Sequence, residues 1–270
     1  MATSHCLKGP ALELNMTVEN DTFSINVIKT GESEVPAPEV FWMEGWNQWE
    51  KLSFHALLLR NKDMNFLINT GLPFDLSERN RAMVDFGGER CIFRSSDITR
   101  ELKRLGVEPP DVNGISFTPL QDYTTGGIPL FQNAKIYLDR RGWTEDIVAP
   151  RVRKHQSRNL FIPEQNLRHL MFDAWNRVVL FDSMFTYSIA PGLTVMWVGC
   201  HHRSSLAFQI STRSGNVIFS DCSFKRRNLE ENIPIGIAEN TLECLDAYSR
   251  FSGKGTFLSA YDPEIDGLEF

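Results

Sequence analysis

Polar and apolar residues alternate along "TFSINVIKTG" (22–31), a period of two that predicts a strand. "GESEVPAPEV" (31–40) breaks the pattern with Gly and two Pro and reads as a turn-rich loop. "LSFHALLLRN" and "MNFLINTG" are two further strands joined by the polar turn Asn61-Lys62-Asp63. Later, "DVNGISFTPL", "NAKIYLD", "RVVLFD", "TVMWVG", "SLAFQIST", "NVIFSDCS" and "GTFLSAYDPE" are strand-like runs, with "SGN" (214–216) as a hairpin turn. Three stretches carry helical periodicity: "SDITRELKRLGVEP", "PEQNLRHLMFDAW" and "ENTLECLDAYSRF". Ser96 or Asp97 is the candidate cap of the first, and Gly106 its stop. Strand clusters alternating with helices in two halves predict a layered α/β protein with two central sheets. No linker or short repeat interrupts it, so 1–270 reads as a single domain, with 1–38 an N-terminal extension that contributes a strand.

"FWMEGWNQWE" places Trp42, Trp46 and Trp49 at near-helical spacing. A packed rim cluster accounts for them; the sharper alternative is a lid over a pocket, with Trp46 touching a ligand. His55, inside a strand, reads as a hydrogen-bonded core residue, and His169, on a helix, as a surface or packing residue.

Composition narrows the class. In 270 residues, 42% are hydrophobic and 23% charged, enough for a sizeable core. A formal net charge of -6 argues against a nucleic-acid surface, and the run Lys225-Arg226-Arg227 is too short to be a phosphate track. Five scattered cysteines without a C-x-x-C pair suggest reduced thiols. With no secretory pattern at the start and no apolar run of membrane-spanning length, a cytoplasmic protein without membrane partners is the expectation.

The order of short motifs resembles the metallo-β-lactamase superfamily, in its N-acyl-homoserine lactonase-like branch. "NFLINTGLP" is similar to the family's "LIDTG" strand and loop. "ISFTPLQDYTTGGIPLFQNAKIYLDRRGW" is similar to the segment carrying H-x-H-x-D-H and then Gly-Gly. "PGLTVMWVGCHHRSSLAFQISTRSGNVIFSDCSF" matches the stretch with the third histidine and the bridging aspartate, and "FLSAYDPE" the final histidine loop. The likeness runs from about residue 50 to the C-terminus. It implies an αββα four-layer sandwich with the active site at one edge, a pair of metal ions there, a hydroxide that attacks a carbonyl, and a homodimer as the expected assembly.

Carried over position by position, the resemblance puts the histidines of H-x-H on Pro119 and Gln121, the aspartate on Tyr123 and the next histidine on Thr124, with Asp122 one place off. The third histidine falls on Arg203, or on His202 with a one-residue slip, and the last on Tyr261. Asp221 is retained, and Asn69 stands for the aspartate of "LIDTG". Zinc needs at least three N, O or S donors at about 2.0–2.3 Å. This inventory does not supply them, so no metal and no other cofactor is expected. A single-ion site from His201, His202, Asp221 or Cys222 is the minor alternative.

A buried carboxylate needs a compensating charge, and Arg203 is the expected partner of Asp221. Two functions then suit the site. In one, a metal-independent enzyme acts on a small carbonyl, lactone or ester: Arg203, Tyr261 and Tyr123 donate to an oxyanion and His201 or His202 serves as base, with Gln121, Asp122, Thr124 and Trp46 as substrate contacts. Cys200 beside His201 suggests a thiol nucleophile, although strand neighbours point to opposite faces. In the other, a non-catalytic protein keeps the pocket for a small molecule or a protein partner. A hydrolase with a rearranged metal set is a third reading.

Overall fold

The computed structural model describes residues 21–150 and 156–270; Cys6 and the chain start lie outside them. Among the described residues, twelve strands form two sheets. The first has the order β4-β1-β2-β3-β5-β6-β7 and the second β12-β11-β10-β9-β8. Their ranges are β1 Ser24–Pro36, β2 Trp49–Arg60, β3 Asn65–Ile68, β4 Arg94–Ser95, β5 Gly114–Ser116, β6 Lys135–Asp139, β7 Val178–Phe181, β8 Tyr187–Ala190, β9 Leu193–Trp197, β10 Leu206–Thr212, β11 Gly215–Ser220 and β12 Thr256–Ser259.

Strand β2 explains the layering. Its Leu57 and Leu59 enter a core shared with Val195, Phe208 and Ile210 of the second sheet. Its Ala56 and Leu58 enter a separate core with Ile98 and Leu102 of helix Ile98–Arg104. Alternate residues therefore serve opposite faces, and both faces of the first sheet are covered. In β11, the consecutive Val217, Ile218 and Phe219 are all buried, so that sheet is covered on both sides too. Helix Thr241–Phe251 contributes Cys244, Ala247, Tyr248 and Phe251 at helical spacing to the same cluster. The result is the expected αββα sandwich.

Several predicted boundaries hold, and others move. Asp97 caps its helix through Thr99 N at 2.9 Å, and Gly106 closes it at φ +74. Residues 31–36 are not a loop: β1 runs on to Pro36 past a bulge between Lys29 and Gly31, because β2 offers partners along its whole length. The tryptophan stretch is not helical; Trp42 and Trp46 sit in exposed turns, 50% and 64% accessible. Helix Ser77–Gly87 is absent from the periodicity reading. It buries no residue fully, so no apolar stripe marks it. No described helix is long and apolar enough to cross a membrane.

Candidate functional site

Four loops converge at one edge of the sandwich, following β5, β9, β11 and β12. The loop after β5 is held by Asn69, whose side chain accepts from Thr118 N at 2.9 Å and donates to His55 O at 3.0 Å. Asn69 adopts φ +66, a conformation that asparagine tolerates better than most residues. His55 is fully engaged, with Nδ1 2.9 Å from Ala260 O and Nε2 2.7 Å from Asp266 Oδ1, as a core histidine should be.

Asp221, just past β11, is completely buried. Its Oδ1 accepts from the Thr118 hydroxyl at 2.5 Å, and its Oδ2 from the Ser205 hydroxyl at 2.6 Å. His201 Nδ1 approaches Oδ2 at 3.1 Å. Arg203 does not reach it, which corrects the expected pairing. Gly199 and Cys200, at φ +63 and +72, turn the loop so that Arg203 faces the other way. Its guanidinium binds Glu239 through Nε at 3.0 Å and Glu243 through Nη1 and Nη2 at 3.1 and 2.7 Å. These two carboxylates outweigh the cost of burial and raise the Arg203 guanidinium further above its ordinary value. The side chain that faces Asp221 is therefore an imidazole and not a guanidinium.

Above this pair lies a cavity of about 90 Å³. His201, His202, Gln121, Tyr123 and Tyr261 all line it. His202 is buried, its ring centroid 4.0 Å from that of His201 and its Nδ1 3.5 Å from Glu239 Oε1. Phe54, Phe93 and Phe224 form the apolar wall, with Phe224 4.6 Å edge-on to Tyr261. Gln121 is 3% exposed, and its Nε2 has no hydrogen-bond partner. Burial pushes the Tyr123 and Tyr261 phenols well above their ordinary range, so both are hydroxyl donors at neutral pH.

Other expected contacts fall outside the cavity lining. Thr124 caps its own turn, donating to Pro119 O at 2.5 Å or Gln121 O at 2.8 Å. Asp122 is engaged by Arg79, whose Nε lies 3.0 Å from each carboxylate oxygen and whose Nη2 also contacts Oδ1. Trp46 is not among the lining residues. Cys200 is fully buried, its thiol directed at Val198 O at 3.4 Å; burial pushes that thiol far up, which removes its value as a nucleophile.

Three site residues escaped the sequence. Arg79 lines the cavity, carried on the helix that has no apolar stripe, and its guanidinium sits 5.4 Å over both the Phe93 and Tyr123 rings. Glu39 lines it too, its carboxyl pushed up to about 7 by burial. Asp146 Oδ2 accepts from Ser204 N at 2.9 Å and anchors the histidine loop from behind. The "GG" ending at Gly87-Gly88, with Gly88 at φ +86, was the available signal for the first of these helices.

Among the described residues, no group of three or more His, Cys, Asp or Glu side chains could hold a metal ion. Both oxygens of Asp221 already accept hydrogen bonds, and Pro119, Gln121, Thr124 and Arg203 occupy the remaining positions implied by the resemblance. These residues do not fit a dinuclear centre.

No family model matches the chain. It is 23% identical over 183 residues to an N-acyl homoserine lactonase from Bacillus cereus, a match spanning 66% of this chain and 66% of that protein's length. An N-acyl homoserine lactone hydrolase, solved with the product N-hexanoyl-L-homoserine bound at its catalytic metal centre, superposes with a TM-score of 0.73 at 18% identity, covering 90% of this chain and 95% of that one. A hydrolase of the beta lactamase superfamily superposes at 0.64 with 14% identity, covering 90% and 88%.

Proposed function

We propose that this chain, which has the metallo-β-lactamase fold, is a metal-independent hydrolase-like enzyme for a small carbonyl, lactone or ester compound, with His201 as its base. The observation that carries the reading is the His201–Asp221 pair at 3.1 Å, beneath a cavity that also presents the unpartnered Gln121 Nε2.

The chemistry follows from the pair. Asp221 holds Nδ1 and stabilises the imidazolium that forms when His201 takes a proton from water. With Nδ1 committed, Nε2 is the nitrogen through which that proton passes. The water oxygen attacks the carbonyl carbon, and negative charge develops on the carbonyl oxygen. Gln121 Nε2 and the Tyr261 hydroxyl are the candidate donors to that oxygen, and both side chains are buried, where such bonds count most. A cavity of about 90 Å³ suits the reacting part of a compound much smaller than a drug-sized ligand. The buried unpaired thiols of Cys91, Cys200, Cys222 and Cys244 suit a reducing compartment, and the cytoplasm is the proposed setting.

The test is turnover of short esters and lactones by protein purified without added metal. Activity that survives chelation and is lost in His201→Ala supports the reading. A stoichiometric transition metal whose removal abolishes turnover overturns it.

The small cavity also favours a second reading, a ligand-binding protein without catalysis. It predicts ligand-induced thermal stabilisation that persists in His201→Ala, with no turnover in either protein.

A further inference from the structure

Glu39 lies on the one-turn helix Ala37–Val40. Its backbone is fixed, since its carbonyl accepts from Gly236 N at 2.9 Å and Ile237 N at 3.0 Å. Its side chain lines the same cavity as His201. Its Oε1 is buried and has no hydrogen-bond partner. A carboxylate in that position loses hydration at Oε1 with no hydrogen bond to replace it, whereas the neutral acid loses less.

We propose that Glu39 is the general acid of this site, protonating the leaving oxygen of a small neutral ester or lactone while His201 deprotonates the attacking water. This rests on the reading in the previous subsection. Both groups border one cavity of about 90 Å³, so a molecule that fills it touches both. The bonds balance. A C–O bond forms from water, whose proton goes to His201. The tetrahedral intermediate collapses and breaks the bond to the leaving oxygen, which takes the proton of Glu39. The products are an acid and an alcohol, and the His201 proton returns to Glu39 through solvent or product.

The charged surroundings suit this role. Arg79 shares the cavity, but Asp122 matches its charge. His201, His202, Tyr123 and Tyr261 are the other titratable groups on the walls. Cys91 also senses Glu39: burial raises its thiol first, and the Glu39 charge raises it further. No neighbour of this set lowers the Glu39 carboxyl, and burial alone holds it at about 7.

The experiment compares wild type, Glu39→Gln, Glu39→Asp and His201→Ala on two probes. One is p-nitrophenyl acetate, whose leaving group needs no proton; the other is γ-butyrolactone, whose alkoxide does. Glu39→Gln should lose roughly 10²-fold or more on the lactone, with a loss at least about tenfold smaller on the aryl ester, and Glu39→Asp should recover part of it. Equal losses on both probes, or none, overturn the acid role. Carboxyl NMR gives a second readout: a glutamate signal titrating near 7 that vanishes in Glu39→Gln supports it, and a Glu39 midpoint in the ordinary range overturns it. A wild type that turns over neither probe overturns the hydrolase reading, and the acid role with it. A wild type matched by Glu39→Gln on both overturns only this inference.

Discussion

His201 Nδ1 stands 3.1 Å from Asp221 Oδ2, while the neighbouring Arg203 is committed to Glu239 and Glu243. Removing the imidazole takes one of three hydrogen-bond partners away from the fully buried Asp221 side chain. His201→Ala should therefore destabilise the fold by about 1–3 kcal/mol, read by urea unfolding. A double-mutant cycle between Arg203→Met and Asp221→Asn should couple by less than about 0.5 kcal/mol, as expected for residues that share no contact. Strong coupling in that cycle would restore the pairing expected from sequence.

The partners of Arg203 make a contrasting prediction. Arg203→Met takes the guanidinium from Glu239 and Glu243, leaving Glu243 with the Cys200 amide, and should cost about 2–4 kcal/mol. Adding Glu243→Gln should recover a measurable part of that loss, because the second change removes a carboxylate that has lost its guanidinium. Strict additivity of the two changes, measured by denaturant titration, would show that the bidentate contact contributes no coupling.

Arg79 holds Asp122 with a planar fork, donates from Nη2 to Leu160 O at 2.7 Å and lies against two aromatic rings. Lysine reproduces the charge but not the fork or the stacking. Arg79→Lys should lower stability by about 1–3 kcal/mol. It should also raise KM for γ-butyrolactone, because Arg79 shapes the cavity wall. A variant with wild-type Tm and KM would sink this account.

Glu39 makes stability depend on pH in a definite direction. Its carboxyl stands at about 7 in the folded chain against 4.5 in the ordinary case, so the folded state holds the extra proton between those values. Stability from this group is full below about 4.5, falls as pH rises, and levels off above about 7. The span is on the order of 3 kcal/mol. Glu39→Gln should be more stable than wild type above neutral pH, with the gap closing toward pH 4.5. Parallel Tm-versus-pH curves would contradict it.

Much of the fold was legible because β2, β10 and β11 carry apolar runs that both faces of a sheet require. The loops were legible as positions, and five residues read from them, His201, His202, Gln121, Tyr123 and Tyr261, line one cavity. Direction was not legible. The left-handed turn at Gly199 and Cys200 decides where Arg203 points, and nothing in the order of residues shows that. Arg79 was hidden by a helix that buries no side chain fully. Glu39 was hidden because its environment arises from distant segments; no local pattern announces a glutamate with one buried, unpartnered carboxyl oxygen.

The Thr118 hydroxyl belongs to the loop after β5 in the first sheet, yet it donates to Asp221 and accepts from Leu206 N at 2.8 Å in the second. One oxygen thus stitches the two sheets at the floor of the site. The Leu206 amide cannot exchange its proton with solvent unless that stitch opens. Protection against deuterium equal to the free energy of global unfolding would show that this seam opens only when the whole chain unfolds, and lower protection would show that it opens alone.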